Sequence, residues 1–488
     1  MVDSLVEASN KHHKLVLPWR LIKIGCLFVA LLFLGGCSTV SLNAGFSDVS
    51  AQLEQRNALK IAWNSGTELD RDAAEQVRSL LSGKLSVDHA VQIALLNNRK
   101  LQATYSELGV AQADLVQAGL LRNPIFHTAV LFQNGGSPDI EVGADLNFLE
   151  IFYRPLRRRV AAARFEEAKM LVTGAVLDFA GQVRTAFYSH QANEQMLELR
   201  QTIMQALDAS FEIARRLSAA GNITDLDLAR ERAQFEASKL GLRSAEVLVR
   251  QSREQMYSLM GLWGKETRWQ TDGRLADIPT EPLQVAELER LAVSSSLDLL
   301  QARQRILVSG EQLGFNRSTN WLPELDFGVH GEREEGSWQT GPEIAFPIPL
   351  FDQGQGRIGR ALAELRRAQN DYYALAVDVR SAARAFRDRV EGARDRALYY
   401  RDILLPLHER IVNEAQLQYN AMQLGPFQLL RAREQQIETA VAYIDALREY
   451  WLARGDVGQL LGGRLPSGNG LPNGGTGGKM GMRQSEGD

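Results

Sequence analysis

The chain has 488 residues, 55 basic against 59 acidic, and a formal charge of −4, so no global field points to nucleic acid or an anionic surface. Aromatics make up only 7% and there are 14 prolines. Ala, Leu, Gln, Glu and Arg dominate from about residue 155, which suits long helices packed through small side chains and not a compact α/β enzyme. The two cysteines, Cys26 and Cys37, and seven scattered histidines show no cluster or H-E-x-x-H spacing for a metal site. No metal, cofactor or catalytic residue is expected.

Lys11, His12, His13, Lys14, Arg20 and Lys23 precede an apolar run from Ile24 to Leu34. The run is shorter than the roughly 20 residues of a bilayer-spanning helix and has the size of a signal-peptide core. Leu34-Gly35-Gly36-Cys37 resembles a bacterial lipobox, making residues 1–36 a signal peptide and Cys37 the lipidated N-terminus of the mature chain. Acyl chains there would anchor it at about 0.8 kcal/mol per buried CH₂. Ser38, where an Asp would mean inner-membrane retention in such lipoproteins, favours the outer membrane. The plain alternative is an ordinary signal peptide with an incidental cysteine. Residues 37–84 are expected to be a linker.

The remainder repeats itself. Leu85 to Ala94 reads against Leu283 to Ala292, each opening a helix with apolar positions three and four apart. The helical stretches end at Leu121-Arg-Asn-Pro124 and Trp321-Leu-Pro323, because proline cannot continue a helix. Strand signals follow in both halves. Phe126, Thr128, Val130 and Phe132 alternate with His127, Ala129, Leu131 and Gln133. After a turn at 134–138, Ile140, Val142, Ala144, Leu146 and Phe148 alternate with Glu141, Gly143, Asp145 and Asn147. In the second half Leu325, Phe327 and Val329 alternate with Asp326, Gly328, His330 and Glu332. A polar loop is expected from Gly331 to Ser337. Thr340, Pro342, Ile344 and Phe346 then oppose Gln339, Gly341, Glu343 and Ala345. Period-two alternation gives each strand one apolar and one polar face.

Each repeat therefore yields one hairpin, at about 125–148 and 324–347, with strands of the length a tilted strand needs to cross a membrane. Four strands cannot close a pore, and open edges cannot sit in lipid. Self-association is the simplest source of more strands, three copies giving twelve. The polar faces, with Glu141, Asp145, Asn147, Asp326, His330 and Glu343, are then expected to line a wet lumen while the apolar faces meet lipid.

Long helices follow each hairpin, at about 153–262 and 355–461. Leu365, Tyr372, Val379, Phe386, Ala393, Tyr400 and Leu407 recur every seven residues, beside Ala376, Ala383, Val390, Ala397, Leu404 and Ile411. Such spacing predicts coiled-coil packing along a helix of roughly 100 Å, mildly interrupted at Pro406. Both helices turn, at Ala219-Ala-Gly-Asn222 and Met422-Gln-Leu-Gly-Pro426, and return for about 40 residues. Asp225 to Glu231 reads against Gln428 to Glu434. The repeats span 85–282 and 283–462, and the Gly-rich tail 463–488 is expected to be disordered.

In order and in duplicate, these features resemble the TolC-type outer-membrane efflux protein family over about residues 80 to 462. Ile223-Thr-Asp-Leu226, Gly341 through Phe351 and Tyr419 through Glu434 carry the likeness. The resemblance implies a mainly α fold with a β-barrel part: a homotrimer with an α-helical coiled-coil barrel and a twelve-stranded transmembrane barrel. It further implies a passive duct through the outer-membrane lipid, docked on a periplasmic adaptor and an inner-membrane pump. Ala219, Ala220, Gly221, Thr224, Met422, Gly425 and Pro426 then become adaptor contacts. Asp225 and Tyr419 match gate positions of the family, with a plain capping or packing role as the alternative. Leu424 stands where some members carry Arg, and Gln428 and Arg431 stand where they carry acids, so an Arg431-based gate is a further alternative.

Two other classes compete with this reading. Gly354-Gln-Gly-Arg-Ile-Gly359 fits G-x-G-x-x-G, but Phe346-Pro-Ile-Pro-Leu-Phe351 before it carries two prolines that a central parallel strand does not accept. The glycines are better read as a swivel from strand to helix. A lipid-anchored periplasmic adaptor or scaffold remains the alternative from another class, although it would show one helical hairpin between small β domains.

Overall fold

The computed structural model describes residues 40–41, 43–64, 68–132, 138–283, 287–334 and 337–466. Contacts divide the chain into two units, Met1–Ser41 and Leu42–Asp488. Among the described residues every helix and strand belongs to the second. Cys37, the signal peptide, the turn residues 133–137 and the tail from 467 lie outside the described residues.

The helices preceding the first hairpin are α1 (Phe46–Asn57), α2 (Glu68–Leu81), α3 (Val87–Asn97) and α4 (Arg99–Ala118). Strands β1 (Ile125–Leu131) and β2 (Asp139–Asn147) lead into α5 (Glu150–Ala219) and the returning α6 (Asp225–Met260). The second repeat runs α7 (Leu288–Ser295), α8 (Leu297–Ser318), β3 (Asp326–Glu334), β4 (Ser337–Ala345), α9 (Gln355–Tyr399), a π-turn (Tyr400–Leu404), α10 (Leu405–Asn420) and α11 (Pro426–Leu461). The 70 residues of α5 rise roughly 105 Å.

The repeat is visible in the chain's smallest devices. Asn98 breaks α3 from α4, its side chain accepting from the amides of Lys100 and Leu101; Ser296 breaks α7 from α8 and accepts from Leu299. The returning helix ends against that same junction in both halves. Asn98 Nδ2 donates to the carbonyls of Ser258 and Leu259 at the end of α6. In the second half Leu297 N donates to Gly463 O at 2.8 Å, just past the end of α11. Orphan carbonyls at helix ends thus find donors from the start of their own repeat.

Two apolar cores result. One gathers Leu53, Ile93, Leu95, Tyr105, Val176, Phe187, Met256 and Trp269; the other gathers Leu299, Val379, Phe386, Val390, Leu447, Tyr450 and Val457. Val379, Phe386 and Ala393, with Ala383, Val390 and Ala397, are buried as the heptads require. Beyond Tyr400 the expectation fails: Leu407 and Ile411 are exposed and Val412 is buried in their place. The π-turn explains this. Pro406 has no N–H for the carbonyl four residues back, and the backbone answers with an i→i−5 bond from Leu405 N to Tyr400 O. One extra residue in the turn advances the buried phase by one.

The returning helices align differently from the residue likeness. Their N-caps, Thr224 and Gly425, have the same backbone angles, φ −78° and ψ 157°, and both helices have 36 residues. That equivalence sets Glu231 against Ala432, two residues away from the match to Glu434 suggested by the Ala-Arg-Glu likeness. The polar loop expected at Gly331–Ser337 is instead mostly strand. β3 runs to Glu334 and β4 starts at Ser337, with Glu332 opposite Gln339 and Arg333 opposite Trp338.

Candidate functional site: a two-faced sheet and a pair of helical turns

The four strands form one antiparallel sheet in the order β1-β2-β3-β4, and its register assigns every residue to a face. Asp145 lies opposite Ile125 and Gly328, Glu141 opposite Ala129 and Glu332, and Asn147 opposite Asp326; Gly328 in turn lies opposite Glu343. Partners across a ladder share a face, so Glu141, Asp145, Asn147, Asp326, His330 and Glu343 all project from one side. The opposite side carries Phe126, Val130, Val142, Leu146, Phe327, Val329 and Ile344. Within one chain this apolar side is uncovered, with Phe126 at 70% and Val329 at 63% exposure. Apolar surface on this scale marks contact with lipid or protein. Aromatics stand at both ends: Phe132 and Trp338 near the hairpin tips, and Phe126, Phe148, Trp321 and Phe346 near the helices, all exposed.

Strands β1 and β4 are the sheet's edges, with one row of backbone groups unpaired on each. The junction to the helices is tied down. Phe148 N donates to Leu325 O at 2.9 Å, and Tyr153 Oη donates to Leu322 O at 2.6 Å. At the second strand-to-helix passage Gly354 takes φ +67° as the N-cap of α9, the swivel expected of it. A side chain there would collide with Asn320.

At the far end of the helices the two turns are close copies. Asn222 N donates to Leu217 O at 2.8 Å and Gln423 N to Gln418 O at 2.9 Å, the six-to-one bond of a Schellman ending. The left-handed position is Gly221 (φ +75°) in one and Met422 (φ +58°) in the other. Thr224 caps α6 by accepting from Asp227 N at 3.1 Å, and Gln428 closes the second turn by accepting from Gly425 N at 3.0 Å. Ala219, Ala220, Gly221, Thr224, Met422 and Gly425 are exposed and Pro426 is half-buried. Met422 is 95% exposed, which gives the turn an apolar point that none of the described residues covers.

The gate candidates are not brought together. Asp225 and Arg431 are exposed, whereas Tyr419 is half-buried and lines a groove of about 940 Å³ between the two helical hairpins, beside Pro426, Phe427 and Leu430. Glu231, which the sequence did not single out, is buried in the wall of that groove. Ser210 Oγ donates to its carboxylate at 2.9 Å, yet burial and the neighbouring Glu434 carboxylate push its pKa above the usual carboxylate range. Only the packing of α5 against α6 reveals it, since a Glu on an Ala- and Arg-rich helix reads as solvated.

One buried cluster has the residue types of an acid–base relay. His190 Nδ1 lies 2.8 Å from Ser252 Oγ and Nε2 lies 3.4 Å from Glu194 Oε1. Burial opposes ionisation of Glu194, but His190 and Thr271 outweigh it and hold its pKa below the usual value. Ser252 spends its own proton on Val249 O at 3.1 Å, and the Trp269 ring packs edge-on at 5.3 Å from the imidazole. The His190 side chain has no exposed surface. A nucleophile that donates elsewhere in a closed core does no chemistry; the cluster fastens α5 to α6.

A hairpin sheet open at both edges, set on two pairs of long helices, is the architecture of outer-membrane channels. The Campylobacter jejuni CmeC outer membrane channel superimposes with a TM-score of 0.63 at 15% identity, covering 78% of this chain and 87% of that one. The outer-membrane channel OprN gives 0.63 at 16% identity, with 88% and 97% covered. A family model for outer membrane efflux proteins matches residues 90–262. The cobalt-zinc-cadmium resistance protein CzcC of Cupriavidus metallidurans is 24% identical over 391 residues, 78% of this chain and 91% of its own length. The probable efflux pump outer membrane protein TtgC of Pseudomonas putida is 22% identical over 362 residues, 67% and 72% respectively. The likeness to outer membrane efflux proteins thus lies in residues 90–262 by the family model and in the fold by the solved channels.

Proposed function

We propose that the protein is the outer-membrane duct of an efflux system, built from three copies of the chain. The observation that carries this reading is the two-faced sheet with open edges. Backbone groups at a lipid-facing edge go unsatisfied at several kcal/mol each, so β1 must find a partner such as the β4 of a sister chain. Three copies close a barrel of twelve strands whose apolar sides meet lipid and whose polar sides, with Glu141, Asp145, Asn147, Asp326, His330 and Glu343, line the lumen. The strands have seven to nine residues, roughly 23 to 30 Å, which matches an outer-membrane apolar band of about 25 Å.

The helices then run into the periplasm. The two copied turns, with Met422 bare, are the docking points for a periplasmic adaptor and through it an inner-membrane pump, which supplies the energy. At that end Asp225 and Tyr419 are the gate candidates, with an Arg431-based gate as the alternative; closing a gate would need the neighbouring copies, since one chain does not bring these residues together. Among the described residues no helix is long and apolar enough to cross a membrane, so anchoring falls to the barrel and to lipidated Cys37. Gly45 lies against Phe165 and Lys169 of α5.

The reading is tested by fractionating cells that express the full chain. Heat-labile trimers in the outer-membrane fraction, lost from it on Cys37→Ala plus Val329→Arg, support it. Monomers in the soluble or inner-membrane fraction would favour the adaptor or scaffold alternative.

A further inference from the structure

One row of the polar face is not accounted for by a merely wet lumen. The register sets His127, Gly143, His330 and Gly341 side by side across the four strands, so each hairpin contributes one histidine and one glycine. The imidazoles stack with centroids 6.3 Å apart at 23°, although their strands are separated by β2 and so by about 9.6 Å. The His127 ring leans over Gly143 towards His330, and a Cβ at Gly143 would collide with it. Behind them His127 Nδ1 lies 3.1 Å from Asp145 Oδ2, and Asp145 in turn occupies the space left by Gly328. The rows on either side are acidic: Asp145 and Glu343 on one, Glu141 and Glu332 on the other. No Lys or Arg stands on this face among the described residues, since Arg333 belongs to the apolar side.

We infer that His127 and His330, with Asp145 behind His127, form a binding site for a divalent transition-metal ion of the zinc type. Asp145 takes the Nδ1 proton and leaves Nε2 as the ligating nitrogen, the carboxylate–histidine arrangement that orients metal ligands. Imidazole suits zinc, copper, iron and nickel, where magnesium and calcium take oxygen ligands, and the flanking carboxylates raise the local concentration of any divalent cation. Among the described residues no group of three or more His, Cys, Asp or Glu side chains is placed to hold a metal ion, so the two imidazoles are the protein's ligands and Asp145 only orients one of them. The site is therefore open, with water completing the coordination. That suits an ion in transit, which must bind well enough to enter and weakly enough to leave. The inference rests on the duct reading for its setting and names the cargo class that such a lumen favours.

The test is a ZnCl₂ titration of the full chain, purified in detergent with a histidine-free tag, read by competition with a chromogenic chelator. Wild type is expected to take up Zn²⁺, with affinity at least tenfold weaker in H127Q/H330Q. D145N, which keeps both imidazoles, should weaken it about tenfold. Equal zinc affinity in wild type and H127Q/H330Q overturns the inference. Should the double variant fail to assemble, unchanged affinity in both H330Q and D145N overturns it equally. Because binding and not transport is read, a failed titration leaves the duct standing, and a duct that does not conduct leaves the titration valid.

Discussion

Arg464 donates through Nε to the Asp178 carboxylate at 3.0 Å, and through Nη1 to Asp298. The end of the second repeat is thereby clasped to the middle of the first repeat's long helix. Burial alone would lower the Arg464 pKa, but the two carboxylates hold it above the usual value; burial pushes Asp298 the other way, above the carboxylate range, against the pull of Arg464. Removing one member of a largely buried network leaves charges unpaired, at a cost of about 3 to 5 kcal/mol when burial is complete. With Arg464 and Asp178 side chains about a fifth exposed, Arg464→Ala should destabilise the chain by about 2 to 3 kcal/mol. Thermal unfolding of the purified protein measures this; a loss under about 0.5 kcal/mol would mean the clasp is incidental.

The two faces of the sheet should answer differently to the same charge. Val329→Arg on the apolar side is expected to cost about 2 to 4 kcal/mol near the bilayer midplane and to reduce outer-membrane insertion. Glu332→Arg, a few residues on but facing the other way, should insert normally. Quantifying folded protein in the outer membrane separates the two; equal insertion would show that the apolar face does not meet lipid.

The turns are expected to tolerate bulk sterically but not functionally. Gly425 has an ordinary φ and open surroundings, and at Gly221 nothing lies within 4 Å of a would-be Cβ. Met422 already places a side chain at the equivalent left-handed position, so Gly221→Arg costs about 1 to 2 kcal/mol. Trimers should persist in Gly221→Arg and Gly425→Arg while export in cells falls at least tenfold. Undiminished export in both variants would remove these turns from the adaptor interface.

Glu231 makes the helical groove sensitive to pH. Its folded-state pKa lies above the usual 4.5, so between those two values the folded chain holds a proton that the unfolded chain has released. Stability therefore declines as pH rises through the raised value, and the penalty vanishes below the ordinary one. Glu231→Gln should stabilise the hairpins at neutral pH and have little effect near pH 4.5. Protease resistance of the α5–α6 turn across that range is the measurement; a gain independent of pH would place the effect elsewhere.

Period-two alternation made the sheet legible before its register was known, because each strand keeps one side apolar from Phe126 to Ile344. Heptads likewise located Val379, Phe386 and Ala393 in the core. What escaped were consequences of backbone arithmetic. The π-turn at Tyr400–Leu404 moves burial from Ile411 to Val412, a one-residue slip for which Pro406 was the only visible sign. The pairing of Glu231 with Ala432 follows from cap angles at Thr224 and Gly425, which no residue likeness encodes. Glu332-Arg-Glu334 looks like a loop by propensity, yet opposite Gln339 and Trp338 the ladder continues. The His127–His330 juxtaposition needed two registers at once, since the two residues lie on strands that are not neighbours.

Closure of the sheet by sister chains can be seen directly. Electron cryomicroscopy of the full chain in lipid nanodiscs should show three copies, with β1 of each hydrogen-bonded to β4 of the next in a twelve-stranded ring. Glu141, Asp145 and Glu343 should face inward and Val329 and Ile344 the lipid. A lone chain in the disc, or a sheet folded with its apolar side against protein and its edges open, would contradict the account.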